Sequence, residues 1–87
     1  MSPSHSRPRK AEVFYSPLAH SQLEKITTVQ QASAVERARG ALEARPDIGV
    51  LRPDGLRDYR DDESGVRFVY FLTIRNTIII VAYLEVD

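Results

Sequence analysis

Two apolar stretches near the end of the chain carry the strongest pattern: Val66 to Ile74, and Thr77 to Val86. Both are rich in β-branched and aromatic residues, which predicts two strands. Arg75-Asn76 joins them, so they form a β-hairpin at the centre of the core. In the last strand Ile78, Ile80, Ala82, Leu84 and Val86 make one wholly apolar face, predicted to lie under the helices. Thr77, Ile79, Val81, Tyr83 and Glu85 make the other, which grows more polar and is predicted to be partly exposed. Arg67 alternates with Val66 and Phe68 and so faces away from the side they bury. Tyr70 shares their parity and is read as core.

Upstream, Glu12 to Tyr15 predicts a short strand. Ser16-Pro17 predicts a helix start, because serine caps and proline at the first helical position loses no needed hydrogen bond. Leu18, Ala19, Leu23 and Ile26 form its apolar stripe. Ser21 to Glu24 offers a later start, and Thr27, Thr28 and Val29 weaken the end. Ser33-Ala-Val-Glu36 is a capping box that predicts a second helix. Its Ala34, Val35, Ala38, Ala41 and Leu42 point inward, and Glu36, Arg37, Arg39, Glu43 and Arg45 outward, until Pro46 stops it. Pro46 to Gly55 reads as a loop with a Pro53-Asp54-Gly55 turn. Leu56 to Arg60 reads as a strand and Asp61 to Gly65 as an acidic turn. The order is β-α-α-β-β-β. It predicts an α+β fold with a helical hairpin, its helices antiparallel neighbours, on one face of a small antiparallel sheet.

A chain of 87 residues allows one domain. Such a domain buries only about 60 % of its unfolded surface, so a permanent partner would help it. Residues 1–10 hold two prolines and three serines and are expected to form a disordered basic tail, leaving 11–87 as the folded domain. Without cysteine there is no disulfide framework. The uncharged apolar run Asn76 to Leu84 is too short to span a bilayer, and the N-terminus lacks a secretory apolar stretch. The chain is read as cytosolic. Its twelve Lys/Arg balance twelve Asp/Glu, but Arg7, Arg9 and Lys10 lie in the tail, so residues 11–87 carry a net −3. Phosphate contact therefore needs a local cluster.

No phosphate-binding glycine loop, zinc spacing or serine-nucleophile elbow is present, and no metal or other cofactor is expected. His20 reads as a surface helix residue. The informative group is Arg57, Tyr59, Arg60, Arg67, Tyr70 and Tyr83. Arginines on neighbouring strands can converge on one sheet face, and a guanidinium grips phosphate bidentately. The alternative for Arg67 is cross-strand pairing with Asp58, Asp61, Asp62 or Glu63, which charge alone favours.

Four segments in order resemble the RelE/ParE superfamily of bacterial toxins. They are Phe14-Tyr15-Ser16-Pro17-Leu18-Ala19, Pro46-Asp47-Ile48-Gly49-Val50, Gly55-Leu56-Arg57-Asp58-Tyr59-Arg60 and Val66-Arg67-Phe68-Val69-Tyr70-Phe71. The last is most similar to the HigB-like branch, and the likeness covers residues 12–87. The resemblance implies a toxin of a type II toxin-antitoxin system, held inactive by a cognate antitoxin and cleaving mRNA on the ribosome. On that reading Arg67, Arg60 and Tyr83 are the catalytic set, and Arg57 and Arg52 contact RNA. Ribonuclease members end their last strand with basic or aromatic residues, whereas this chain ends Leu84-Glu85-Val86-Asp87. Two alternatives therefore stand beside it: a ParE-like inhibitor of DNA gyrase, and a degenerate module that only binds an antitoxin.

Overall fold

The computed structural model describes residues 11–73, 75 and 77–86. The expected tail at 1–10 lies outside them, as do Ile74, Asn76 and Asp87. The elements run β1 (Glu12–Tyr15), α1 (Pro17–Glu24), α2 (Val29–Ala44), β2 (Val50–Leu51), β3 (Arg57–Arg60), β4 (Arg67–Leu72) and β5 (Ile78–Glu85). They build the expected α+β architecture, with the sheet in the order β1-β5-β4-β3-β2. The predicted hairpin, β4 and β5, occupies its middle. The sheet, expected to be antiparallel, is instead mixed, because β1 runs parallel to β5 while every other pair is antiparallel.

The short elements follow from local chemistry. Helix α1 starts where Ser16-Pro17 predicts, with the Ser16 hydroxyl accepting from the Ala19 N–H at 3.1 Å. Leu18 was expected on its buried stripe but is 57 % exposed. Ala19, Leu23 and Ile26 stand at i, i+4 and i+7, and Leu18 is rotated about 100° off that line. Helix α2 opens at Val29 rather than at the Ser33 box. Thr28 caps it, accepting from the Gln31 N–H at 3.1 Å. Thr28-Val-Gln-Gln31 is itself a T-x-x-Q start, which outranks the box one turn later.

Within the predicted 46–55 loop, Val50 and Leu51 pair with Asp58 and Arg57 as an edge strand. The Arg52 N–H donates to the Leu56 carbonyl at 2.8 Å to close that turn, and Gly55 supplies its positive φ of 91°. The loop start is clamped from below by Tyr70. Its hydroxyl donates to the Pro46 carbonyl at 2.6 Å and accepts from the Gly49 N–H at 3.0 Å. A Cβ on Gly49 would sit 2.8 Å from that hydroxyl, so the approach requires glycine.

The core lies between the helices and one sheet face: Ala19, Ala34, Val35, Ala38 and Leu42 above, and Val66, Phe68, Tyr70, Ile79, Val81 and Leu84 below. This corrects the predicted face of the last strand. Ile79 and Val81 are fully buried, while Ile78 and Ile80 face out. Only Leu84 and Val86 of the expected set reach the helix side. The cause is a β-bulge. Register runs Leu72↔Ile79, Phe71↔Ile80 and Tyr70↔Val81, then jumps to Val69↔Tyr83 and Phe68↔Leu84. Ala82 is the extra residue, and it reverses the facing of everything beyond it.

Where β1 ends, α1 takes over the edge of β5. The Ser16 N–H donates to the Val81 carbonyl at 2.9 Å, and the Ser16 hydroxyl to the Ala82 carbonyl at 2.6 Å. The Gln22 side-chain carbonyl accepts from the Leu84 N–H at 2.8 Å. Ser16 thus caps a helix and holds the bulge with one side chain.

Two stability changes are expected in urea unfolding. Ser16→Ala removes the cap and the bulge contact together and should cost ~1–2 kcal/mol. Tyr70→Phe strands the buried Gly49 N–H and should cost ~1–3 kcal/mol. An unchanged urea midpoint in either variant would contradict these roles.

Candidate functional site

The open face of the sheet, away from the helices, carries the charged side chains. Arg60 and Arg67 are directly opposite one another on β3 and β4, and Arg67 is opposite Glu85 on β5. Val69 stands between Asp58 and Tyr83 in register on this same face and is fully buried. It forms an apolar floor beneath long polar side chains. Arg52, just past β2, completes the group. A shallow depression of ≈ 550 Å³ is lined by Ile48, Val50, Arg52, Asp58, Tyr59, Arg60 and Arg67.

The sheet's parity splits the six residues singled out from the sequence. Arg60, Arg67 and Tyr83 gather on the open face. Tyr59 and Tyr70 pack on the helix side. Arg57 is in register with Tyr70, and its guanidinium reaches the carbonyls of Asp47 at 3.3 Å and Gly49 at 2.9 Å. It secures the loop that Tyr70 clamps and stands apart from the arginine cluster. His20 is exposed on α1, 3.4 Å from Glu24.

Arg67 makes the cross-strand pair that charge favoured. Its Nε meets Asp58 Oδ1 at 2.9 Å and Oδ2 at 3.1 Å, and its Nη2 meets Oδ2 at 2.5 Å. Its Nη1 lies 3.4 Å from Glu85 Oε1. Arg52 is paired with Asp54 at 2.9 Å, and hydrogen bonding to Tyr83 is the main influence raising its pKa. The Asp58 carboxyl is held below its ordinary range. Hydrogen bonding from Arg67 is the main cause, opposed by burial and reinforced by the charges of Arg67, Arg52 and Arg60.

Glu85 was expected beside the site only as part of an acidic chain end, and Asp54 was not expected there. Asp54 was legible only as a turn residue. Glu85 faces Arg67 only because of the bulge, since a regular hairpin continuing Tyr70↔Val81 would set Leu84 opposite Arg67. Chemically the cluster offers three guanidinium groups and a phenol over a shallow apolar floor. Two arginines directly opposite on adjacent strands repel unless an anion sits among them. Asp58 and, at longer range, Glu85 supply it internally.

The low pKa of Asp58 carries a sign. Its contribution to stability is fully present above its unfolded value of about 3.9, and is lost as pH falls through the depressed folded value. Urea midpoints measured from neutral to acid pH should therefore fall more steeply for the wild type than for Asp58→Asn. Parallel curves would refute the assignment.

Among the described residues, no helix is long and apolar enough to cross a membrane. No protein-family model matches the chain, and no curated protein matches it. Solved structures do. A chain of the RelBE2 toxin-antitoxin complex from Mycobacterium tuberculosis superposes with a TM-score of 0.74 at 22 % identity, over 93 % of this chain and 95 % of that one. An E. coli RelE toxin mutant in the free state gives 0.67 at 14 % identity, over 90 % and 83 %. The intact E. coli RelBE toxin-antitoxin complex gives 0.63 at 13 % identity, over 86 % and 94 %. At these identities the likeness is one of architecture, and the fold of this chain is that of the RelE toxins.

Proposed function

We propose that this chain is the toxin of a type II toxin-antitoxin pair, acting in the cytoplasm on mRNA at the ribosome and neutralised by a cognate antitoxin. The observation that carries the reading is the Arg60–Arg67 pair, set directly opposite one another on the open face of a RelE-fold sheet. In cleavage of this kind the ribose 2′-hydroxyl gives up its proton to a base and attacks the adjacent phosphate, the P–O5′ bond breaks, and negative charge grows on the non-bridging oxygens on the way. Arg67 and Arg60 would stabilise that charge. Tyr83, on the same face, would stack on a base or pass a proton to the leaving oxygen. Arg52, beside Tyr83, would meet a neighbouring phosphate. Arg57 is bound to loop carbonyls, and its part would be to hold the rim of the site.

A second reading is favoured by the charge balance. Asp54, Asp58 and Glu85 stand among Arg52, Arg60 and Arg67, and each contacts an arginine of the set. A face neutralised in this way suits a module that binds a protein partner and performs no chemistry. The two readings part on expression without antitoxin. The ribonuclease arrests growth and leaves discrete breaks in translated mRNA, mapped by primer extension. Arg67→Ala should lower cleavage by ~10²–10³. Harmless expression, with intact mRNA and tight capture of an antitoxin, supports the module. DNA damage with translation unaffected would instead point to DNA gyrase.

A further inference from the structure

The two carboxylates on Arg67 are not equivalent. A guanidinium has two forks able to grip a pair of oxygens. One is the side fork of Nε and one Nη, and the other is the end fork of the two Nη atoms. Asp58 fills the side fork with three contacts of 2.5 to 3.1 Å, its own side chain three-quarters covered. Of the end fork, Nη2 is already shared with Asp58, and Nη1 is met, among the described residues, by Glu85 alone, through one 3.4 Å contact from a side chain that is 55 % exposed. Asp58 is therefore a built-in holder. It orients the guanidinium, and its contacts are short enough to survive competition. Glu85 makes the weakest kind of charge-assisted contact and can swing into water at little cost.

We propose that Glu85 is a displaceable internal anion seated where a phosphodiester binds, so that the end fork of Arg67 is an RNA phosphate site that Glu85 competes for. This rests on the RNA-directed reading above. A phosphate presents two oxygens to the two Nη atoms, where Glu85 presents one. It also brings negative charge beside Arg60, the strand neighbour of Arg67, and Arg60 has no ion-pair partner among the described residues. Asp58 keeps the fork aimed while Glu85 leaves. Glu85 lowers affinity for any phosphate that cannot supply both oxygens together with further contacts, so it selects a polymer over a free anion. The bulge is what makes the arrangement possible, since it brings Glu85 and not Leu84 opposite Arg67.

The test is binding of a short single-stranded RNA, fully 2′-O-methylated so that no cleavage can occur, to the purified full chain. Glu85→Gln should tighten binding by about tenfold, the scale of one like charge removed beside a phosphate near a surface. Glu24→Gln removes the same charge on the helix side and should change affinity less than about twofold at physiological salt. In an Arg67→Ala background, Glu85→Gln should give no gain. Inorganic phosphate as the competing probe should displace RNA from Glu85→Gln at lower concentration than from the wild type. No gain for Glu85→Gln, or an equal gain with Arg67 absent, overturns the proposal. The failure of the ribonuclease reading looks different: tighter, Arg67-dependent binding in Glu85→Gln with no mRNA cleavage sustains the phosphate site and removes the enzyme.

Discussion

The single extra residue at Ala82 is the constraint on which the rest of this structure depends. Strand pairing has a period of two, so one inserted residue exchanges the faces of everything beyond it. Before the bulge, Ile79 and Val81 fill the core beside Tyr70. After it, Leu84 returns to the core beside Phe68, and Tyr83 and Glu85 turn to the open face. A regular ladder would press Tyr83 and Glu85 under the helices and expose Leu84. Burying the Glu85 carboxylate there would cost far more than the bulge does. On the opposite edge of β5, beyond the end of β1, Ser16 and Gln22 of the first helix and its cap hold the Ala82 carbonyl and the Leu84 N–H. Helix start, bulge and charged face are thus one mechanical unit.

The charged face has its own logic. Like charges opposite one another on adjacent strands destabilise a sheet, and the Arg60–Arg67 pair is such a contact. A fold selected for stability alone would replace one of them. Here the repulsion is met by Asp58 in a short bidentate pair and by Glu85 at longer range. Val69 beneath them is fully buried, so the long side chains also cover apolar surface. The same atoms therefore serve the sheet and offer an anion site.

Local elements were legible where one residue type has one strong physical role. Ser16-Pro17 marked the first helix, Pro46 ended the second, and Asp61 to Gly65 formed the turn expected of it, with the Asp61 carboxylate accepting from Ser64 and from the Glu63 N–H. The second helix was placed one turn late because two capping boxes compete, and the nearer threonine won. The edge strand Val50–Leu51 was hidden inside a loop, since two residues carry no period. Arg60, Arg67 and Tyr83 were grouped from the sequence and do share the open face, and strand alternation placed Arg67 correctly. The same alternation, applied to Arg57, sends it to the helix side.

By itself the sequence determined the α+β class, the order of every element except the two-residue edge strand, the burial of Val66, Phe68 and Tyr70, and the outward direction of Arg67. These follow from alternation within single segments, which needs no knowledge of partners. The tertiary structure alone decided which carboxylate faces Arg67, which half of the last strand is buried, and that β1 joins the sheet in parallel beside it. Those outcomes depend on register between segments distant in sequence. A one-residue bulge sets that register, and the helix cap that holds the bulge is 66 residues away along the chain.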